Sequence, residues 1–215
     1  GITKNGLERA LLNINDLPGI SAVSTIQPGV EQGSSKIVIN VVEDDLVTGN
    51  ITLDNHGNRY TAKQRSTIKI DVNNPSKIGD KLTITKTFND DQKFDFSQFD
   101  YEVPVGQSGL KAFALASRLE FEIGKELKTN PVSLGNADTY EVGLKYPIQR
   151  TNNQSVFLKT SIEKKEIYNE TTGVLTNDKT LENAKIGFDF EGKNIFQESS
   201  LTGVSVSGIF GDLDL

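Results

Sequence analysis

His56 is the single histidine of the 215-residue chain, and Asp54 and Asn55 stand beside it. An imidazole near a carboxylate is raw material for a general base or a metal ligand set, provided partners converge in space. The surrounding run, Leu53-Asp54-Asn55-His56-Gly57-Asn58-Arg59-Tyr60, instead has the composition of a polar turn. It ends one alternating strand and opens another, so His56 reads as a solvated turn residue. Asn89-Asp90-Asp91 offers carboxylates without the full ligand spacing of a calcium loop and reads as a solvated hairpin. Pro104-Val105-Gly106-Gln107-Ser108-Gly109 lacks the Gly-x-x-x-x-Gly-Lys pattern of a phosphate loop and leads into a strand. With no cysteine, a disulfide or thiolate metal site is ruled out. No metal or cofactor is implied, and the chain does not read as an enzyme.

A larger set of charges is more informative. Lys69, Asp71, Asp100, Glu102, Arg118, Glu120 and Lys145 each fall on the polar side of an alternating segment. Such a face is either a solvated sheet surface or a hydrated lumen, where mixed charge keeps a passing chain from sticking. The choice depends on what the opposite, apolar side meets.

The elements that hold these residues are strands from Thr48 onward. Ile68, Ile70 and Val72 oppose Thr67, Lys69 and Asp71; Phe99, Tyr101 and Val103 oppose Gln98, Asp100 and Glu102. The longest segment sets Phe113, Leu115, Leu119 and Phe121 against Ala112, Ala114, Ala116, Arg118 and Glu120. Tyr140, Val142, Leu144 and Tyr146 oppose Glu141, Gly143 and Lys145, and further strands run near 156–163, 184–190 and 202–210. The stretch Asn169 to Lys179, with Gly173, reads as a long polar loop. No helix long enough to cover the apolar side is predicted after Val47. That side must pack on a second sheet in water or face acyl chains in lipid. Segments of about 9–11 residues favour a transmembrane barrel over soluble strands, which average nearer 5–6.

The first forty-odd residues differ. Leu7, Leu11, Leu12 and Ile14 recur at helical spacing, with Glu8 and Arg9 on the other side. Pro18 and Gly19 stop the helix. Strands follow at Ser21 to Gln27 and at Lys36 to Val42, a small α+β unit in which Ile37, Ile39 and Val41 are expected to be sheet core.

Composition sets limits on partners. The net charge of −6 is spread along the chain, without the basic stripe of a nucleic-acid partner. Hydrophobic residues are 35%, and no stretch approaches the 18 or so apolar residues of a membrane helix, which leaves barrel strands open. The chain begins Gly1-Ile2-Thr3, without methionine or a signal peptide, and reads as a processed or excised piece.

The order of motifs resembles the two-partner secretion outer-membrane transporters, the hemolysin-activator type within the barrel-assembly superfamily. Leu7-Glu8-Arg9-Ala10-Leu11-Leu12, Asn15-Asp16-Leu17-Pro18-Gly19-Ile20 and Gln27-Pro28-Gly29 with Gly33-Ser34-Ser35 resemble the periplasmic POTRA domain. Leu53 to Tyr60, Asn73-Asn74-Pro75, Gly79-Asp80, Tyr101-Glu102-Val103-Pro104-Val105-Gly106 and Tyr146-Pro147-Ile148-Gln149-Arg150 resemble barrel strands. The resemblance implies a mainly β fold: residues 1–46 a partial POTRA domain, residues 47–215 about half of an antiparallel, sixteen-stranded transmembrane barrel. It places the chain in the bacterial outer membrane with its amino-terminal part in the periplasm. It implies two partners, outer-membrane lipid and an unfolded exoprotein client. The client would be caught by β-augmentation near Glu8, Arg9, Lys36, Ile37, Val38 and Ile39, and threaded through a lumen lined by the charges above. Two alternatives stand beside it: a sister barrel that inserts outer-membrane proteins, and a soluble β-sandwich adhesin. On the resemblance the chain is an excerpt, with a further POTRA domain, a plug helix and the later strands outside it.

Overall fold

The structure is a computed structural model that describes residues 3–31, 33–61, 63–90, 93–124, 127–128, 133–171, 174–195 and 197–214. Its one helix among them, α1 (Lys4–Asn15), is capped by Thr3, whose side chain accepts from the Gly6 N–H, and ends at Asp16. Gly19, at φ 71°, supplies the left-handed turn that releases the chain into strand. Strands β1 (Ile20–Pro28) and β2 (Ser35–Glu43) form an antiparallel pair beside α1. Ile39 and Val41 are 41% and 55% exposed, which corrects the expectation of a buried sheet core: the described part of this unit covers one side of its pair only partly.

Nine strands follow and pair strictly with their chain neighbours: β3 (Val47–Asp54), β4 (Arg65–Asn73), β5 (Lys81–Phe88), β6 (Phe94–Pro104), β7 (Lys111–Glu122), β8 (Leu134–Arg150), β9 (Gln154–Thr171), β10 (Val174–Lys193) and β11 (Leu201–Asp214). All pairs are antiparallel. Residues directly opposite in such a sheet share a face, so the register sorts every side chain. One row reads Val72, Leu82, Tyr101, Ala114, Val142, Ile162, Ala184 and Phe210 across eight strands. This face is apolar and open: Ile51, Phe99, Val142, Ile162 and Phe210 are all exposed. No second sheet covers it among the described elements, and in water so large an apolar patch needs a partner. The β-sandwich reading loses its support here.

Above the apolar band the same face turns ionic. The row Lys86, Ser97, Arg118, Asp138 and Glu166 carries ion pairs of Lys86 with Asp95, Arg118 with Asp138 at 3.0 Å, and Lys164 with Glu166 at 2.8 Å. Arg118 and Glu120 therefore do not share a face with Lys69, Asp71, Asp100, Glu102 and Lys145. The reason is that β7 runs in the opposite phase to the one its sequence suggests. Phe113 sits opposite Gly143 and Phe121 opposite Gly135, and the two rings occupy the space a Cβ would need at those glycines. The bulky residues of β7 thus fill the charged side, while Ala112, Ala114 and Ala116 complete the apolar one.

Two further expectations change. Strand β4 begins at Arg65, not near Tyr60, because side-chain turns hold the intervening segment: Asp54 accepts from the His56 N–H at 3.0 Å and Asn58 from the Tyr60 N–H at 2.8 Å. The expected loop from Asn169 to Lys179 is strand at both ends, with Asn169 opposite Asn177 and Thr171 opposite Val174. The polar composition of this segment carries no apolar alternation by which a strand is recognised. Gly173 and Asp91 lie outside the described residues.

The turn joining β4 to β5 is built around Asp80, whose side chain is fully buried. It accepts from Tyr101 Oη at 2.7 Å and the Ser76 N–H at 3.1 Å, while Gly79 donates to Asn74 Oδ1 at 2.6 Å. Burial alone would raise the Asp80 pKa, but these hydrogen bonds outweigh it and hold the carboxyl below the ordinary value of 3.8. A lowered pKa adds stability that is complete above the unfolded value and fades as pH falls through the folded one. The melting temperature of the wild type is therefore expected to exceed that of Asp80→Asn near neutral pH, with the gap closing below the ordinary carboxyl range. A gap that widened in acid would contradict this assignment.

Candidate functional site

Three features stand out, the first at the end of the sheet where β4, β6 and β8 finish. The first is a joint. The Arg150 guanidinium donates from Nε to Asp16 Oδ2 at 2.8 Å and from Nη2 to Asp16 Oδ1 at 2.7 Å, and from Nη1 to Ser155 Oγ at 2.8 Å. Lys111 Nζ donates to the Asp16 carbonyl at 2.9 Å and to Glu102 at 2.7 Å. Leu17 packs against Gly79, and Asn73 against Gly19, closely enough that a Cβ on either glycine would make the neighbour shift. Glu8 accepts from the Asn152 N–H at 2.7 Å, and Arg9 donates to the Pro147 carbonyl at 3.1 Å. The structure thus engages Glu8 and Arg9 with the strand-end turns rather than leaving them as a free helix face.

Arg150 reaches Asp16 because of a bulge. Strand β8 pairs Pro147 with Phe157 and then Gln149 with Val156, so Ile148 is an extra residue. Strict alternation would put Arg150 on the apolar side with Tyr146; the inserted residue flips it to the charged side. Period-two reading of the sequence misses this. Asp16 is 134 residues away in the chain, which leaves no local signal either.

The second feature is the free edge of β2. Asp44 donates to the Gly19 carbonyl and Gly29 to the Ser34 carbonyl, both at 3.0 Å. Hydrogen-bonded pairs alternate along an antiparallel ladder, so the N–H groups of Lys36 and Val38 face β1 and those of Ile37 and Ile39 face outward. On the far side of β1 the edge is occupied at Ala22. Asn15 Oδ1 accepts from the Ala22 N–H at 2.7 Å, Asn15 Nδ2 donates to the Ala22 carbonyl at 2.9 Å, and Pro28 has no N–H to offer. The β2 edge is thus the less obstructed of the two, since that of β1 is blocked at Ala22 and lacks an N–H at Pro28.

The third is the charged face. Lys69 and Lys81 flank Asp71 at 3.8 and 3.3 Å, Glu102 pairs with Lys111, and Asp100 accepts from Gln98 at 2.8 Å. Glu141 and Glu163 are bridged by Lys185, with Lys159 at 3.6 Å from Glu141. Lys145 Nζ lies 4.4 Å from the centroid of the Phe157 ring, and Lys159 Nζ lies 4.5 Å from that of Phe113. His56 is exposed in the loop at the other end of the sheet, and no group of metal-ligating side chains occurs among the described residues.

This geometry, a two-faced strand series with an α+β unit seated on its end turns, has known counterparts. Residues 33–206 match the family described as Haemolysin secretion/activation protein ShlB/FhaC/HecB. The chain belongs to that family. Among curated relatives, the heme/hemopexin transporter protein HuxB of Haemophilus influenzae strain 86-028NP is 26% identical over 213 residues, 99% of this chain. The chain spans only 37% of the length of that relative. Among solved structures, CdiB from Escherichia coli superposes with a TM-score of 0.78 at 18% identity, over 94% of this chain and 38% of that one. CdiB from Acinetobacter baumannii gives 0.73 at 16% identity, over 99% of this chain and 44% of that one. BamA from Haemophilus ducreyi gives 0.55 at 11% identity, over 94% of this chain and 41% of that one. The nine strands of this family member are thus part of a barrel wall, with its edges at β3 and β11 in the described chain.

Proposed function

We propose that this chain is part of an outer-membrane pore that exports an unfolded exoprotein by two-partner secretion. The observation that carries the reading is the strictly sequential nine-stranded sheet with one exposed apolar face and one charge-paired face. In lipid the first meets acyl chains and the second lines a hydrated lumen, so Lys69, Asp71, Asp100, Glu102 and Lys145 are lumen-facing. Residues 1–46 act as a periplasmic POTRA unit and residues 47–215 as the front of the barrel. The end carrying the joint is periplasmic, and the belt with Arg118 and Glu120 faces the outer leaflet's polar layer. A client in extended form pairs with β2, its side chains meeting Lys36, Ile37, Val38 and Ile39, and passes into the lumen without nucleotide hydrolysis. Membership in the haemolysin secretion/activation family supports this, and a client of the β-helical hemolysin or adhesin type fits such a route.

The test is export by the full-length protein expressed with its genetically neighbouring exoprotein. The client is expected in the medium with the transporter and in the periplasm without it. If instead outer-membrane proteins fail to insert on its depletion while the client still exits, the assembly-barrel alternative replaces this one. Side-chain assignment has its own check in the full-length protein, with any cysteine outside these 215 residues first replaced, since the 215 carry none. Ala114→Cys should react with a lipid-dissolved maleimide and Leu115→Cys with a water-soluble one. The reverse pattern would return β7 to the phase its sequence suggests.

A further inference from the structure

Release of α1 from the joint would strand the Arg150 guanidinium. Its side chain is only 19% exposed, and a cation so sequestered is costly once its carboxylate departs. Ser155 Oγ, its other acceptor, is neutral and cannot stand in for Asp16. A carboxylate carried by the sheet itself would, and the register supplies one. Arg150 lies opposite Ser155 and Ser155 opposite Glu191, so the three form one rung across β8, β9 and β10 on the charged face.

The rung is open from Arg150 to Glu191. Ser155 between them is small and buried, and Arg150 already reaches over β9 to donate to it at 2.8 Å. Both ends border the same two cavities beside α1, of about 250 and 450 Å³. Glu191 makes no ion pair among the described residues, though its charge acts on Arg150. Opposite it on β11 is Gly203, where a Cβ would meet nothing. The other charges around the first cavity are Asp16, Lys111 and Lys145. Lys111 is held by Glu102 and the Asp16 carbonyl, and Lys145 rests on the Phe157 ring. Lys193, next on this face of β10, is exposed. Two strands hold the backbones about 10 Å apart, and this sheet already spans such a gap. Lys185 of β10 pairs with Glu141 of β8 at 3.2 Å along a longer diagonal.

We infer that Arg150 is a two-position latch, held by Asp16 while α1 is docked and taken over by Glu191 when α1 is released. The latch concerns the joint alone and does not depend on the pore reading. Asp16 wins the cation in the docked state because its contact is bidentate and sequestered, whereas Glu191 is exposed and offers a weaker, screened pair. What Glu191 contributes is a lower cost of letting go. With the guanidinium paired in both positions, docked and released states lie close enough in free energy for α1 to leave and return.

The experiment uses the full-length protein in lipid nanodiscs, any other cysteine replaced, with spin labels at Asn5→Cys and Asn153→Cys. The fraction of long distances measures release of α1. Glu191→Gln is expected to lower that fraction about threefold, the weight of one exposed ion pair. In an Arg150→Gln background the same substitution should change nothing. This second arm separates the latch from plain repulsion between Glu191 and Asp16, which would persist or grow without the cation. Thermal unfolding gives a readout that does not need a visible released population. Glu191→Gln should lower the melting temperature when Asp16→Asn has already removed the first carboxylate, and leave it unchanged when Asp16 is present. An unchanged released fraction in Glu191→Gln, an equal fall in the Arg150→Gln background, or a melting temperature indifferent to Glu191 in both settings overturns the latch.

Discussion

Arg150→Ala is expected to reduce client export while the barrel still folds, because it loosens the hold of the strand-end turns on α1. The bidentate contact to Asp16 is the strongest single link between the two parts, and both side chains are largely sequestered, 19% and 29% exposed. A charge-assisted pair in such a setting contributes about 2 kcal/mol. At 1.36 kcal/mol per factor of ten, the undocked population rises about thirtyfold. Barrel strands lose only the bond from Arg150 to Ser155, so heat-modifiability of the purified protein should shift little. Spin labels at Asn5→Cys and Asn153→Cys should report a broadened distance distribution in the variant. Deleting Ile148 should by contrast spare the contact, since Gln149 stays opposite Val156 and Arg150 opposite Ser155 on the charged side. A charge exchange, Asp16→Arg with Arg150→Asp, should recover part of the export. Normal export with an undocked α1 would show that the joint has no part in delivery.

Much of this architecture is legible in the sequence, and the failures have physical causes. Nine alternating segments are recognisable because one face must be apolar, and α1 because its apolar residues recur at 3.6-residue spacing. Strand phase is less secure. In β7 both sides carry apolar residues, alanines on one and Phe113, Leu115 and Leu119 on the other, and only the glycines of the neighbouring strand decide which turns outward. Extended polar hairpins escape periodicity altogether, as between β9 and β10, because their composition carries no apolar alternation. At the site, Lys36 to Ile39 could be chosen from β-branched composition, and Lys69, Asp71, Asp100, Glu102 and Lys145 from alternation. Asp16 and Arg150 could not, for a bulge and a long sequence separation hide their meeting. Glu8 and Arg9 were visible as the polar side of a helix, but what lies against that side is a tertiary fact.

The β2 edge yields the sharpest contrast. Ile39→Pro should abolish client capture, because proline removes an outward N–H and its ring blocks close approach of an added strand. Val38→Pro, one residue earlier, removes an N–H that bonds β1 and should instead unfold the amino-terminal pair. The two variants are matched in chemistry and differ only in which way the N–H points, fixed by the bonds of Asp44 to Gly19 and of Gly29 to Ser34. Binding of an extended client peptide to the full-length protein, measured by fluorescence anisotropy, is the direct readout. Expected is a loss of at least about tenfold for Ile39→Pro, the weight of one or two backbone hydrogen bonds plus a steric clash, with circular dichroism and protease resistance unchanged. Ile39→Val keeps the backbone group and should bind nearly as the wild type does, since β-augmentation draws its affinity from the main chain. Undiminished binding by a folded Ile39→Pro would move the client off this edge and onto side chains alone. The proline pair therefore separates pairing along β2 from mere contact with it.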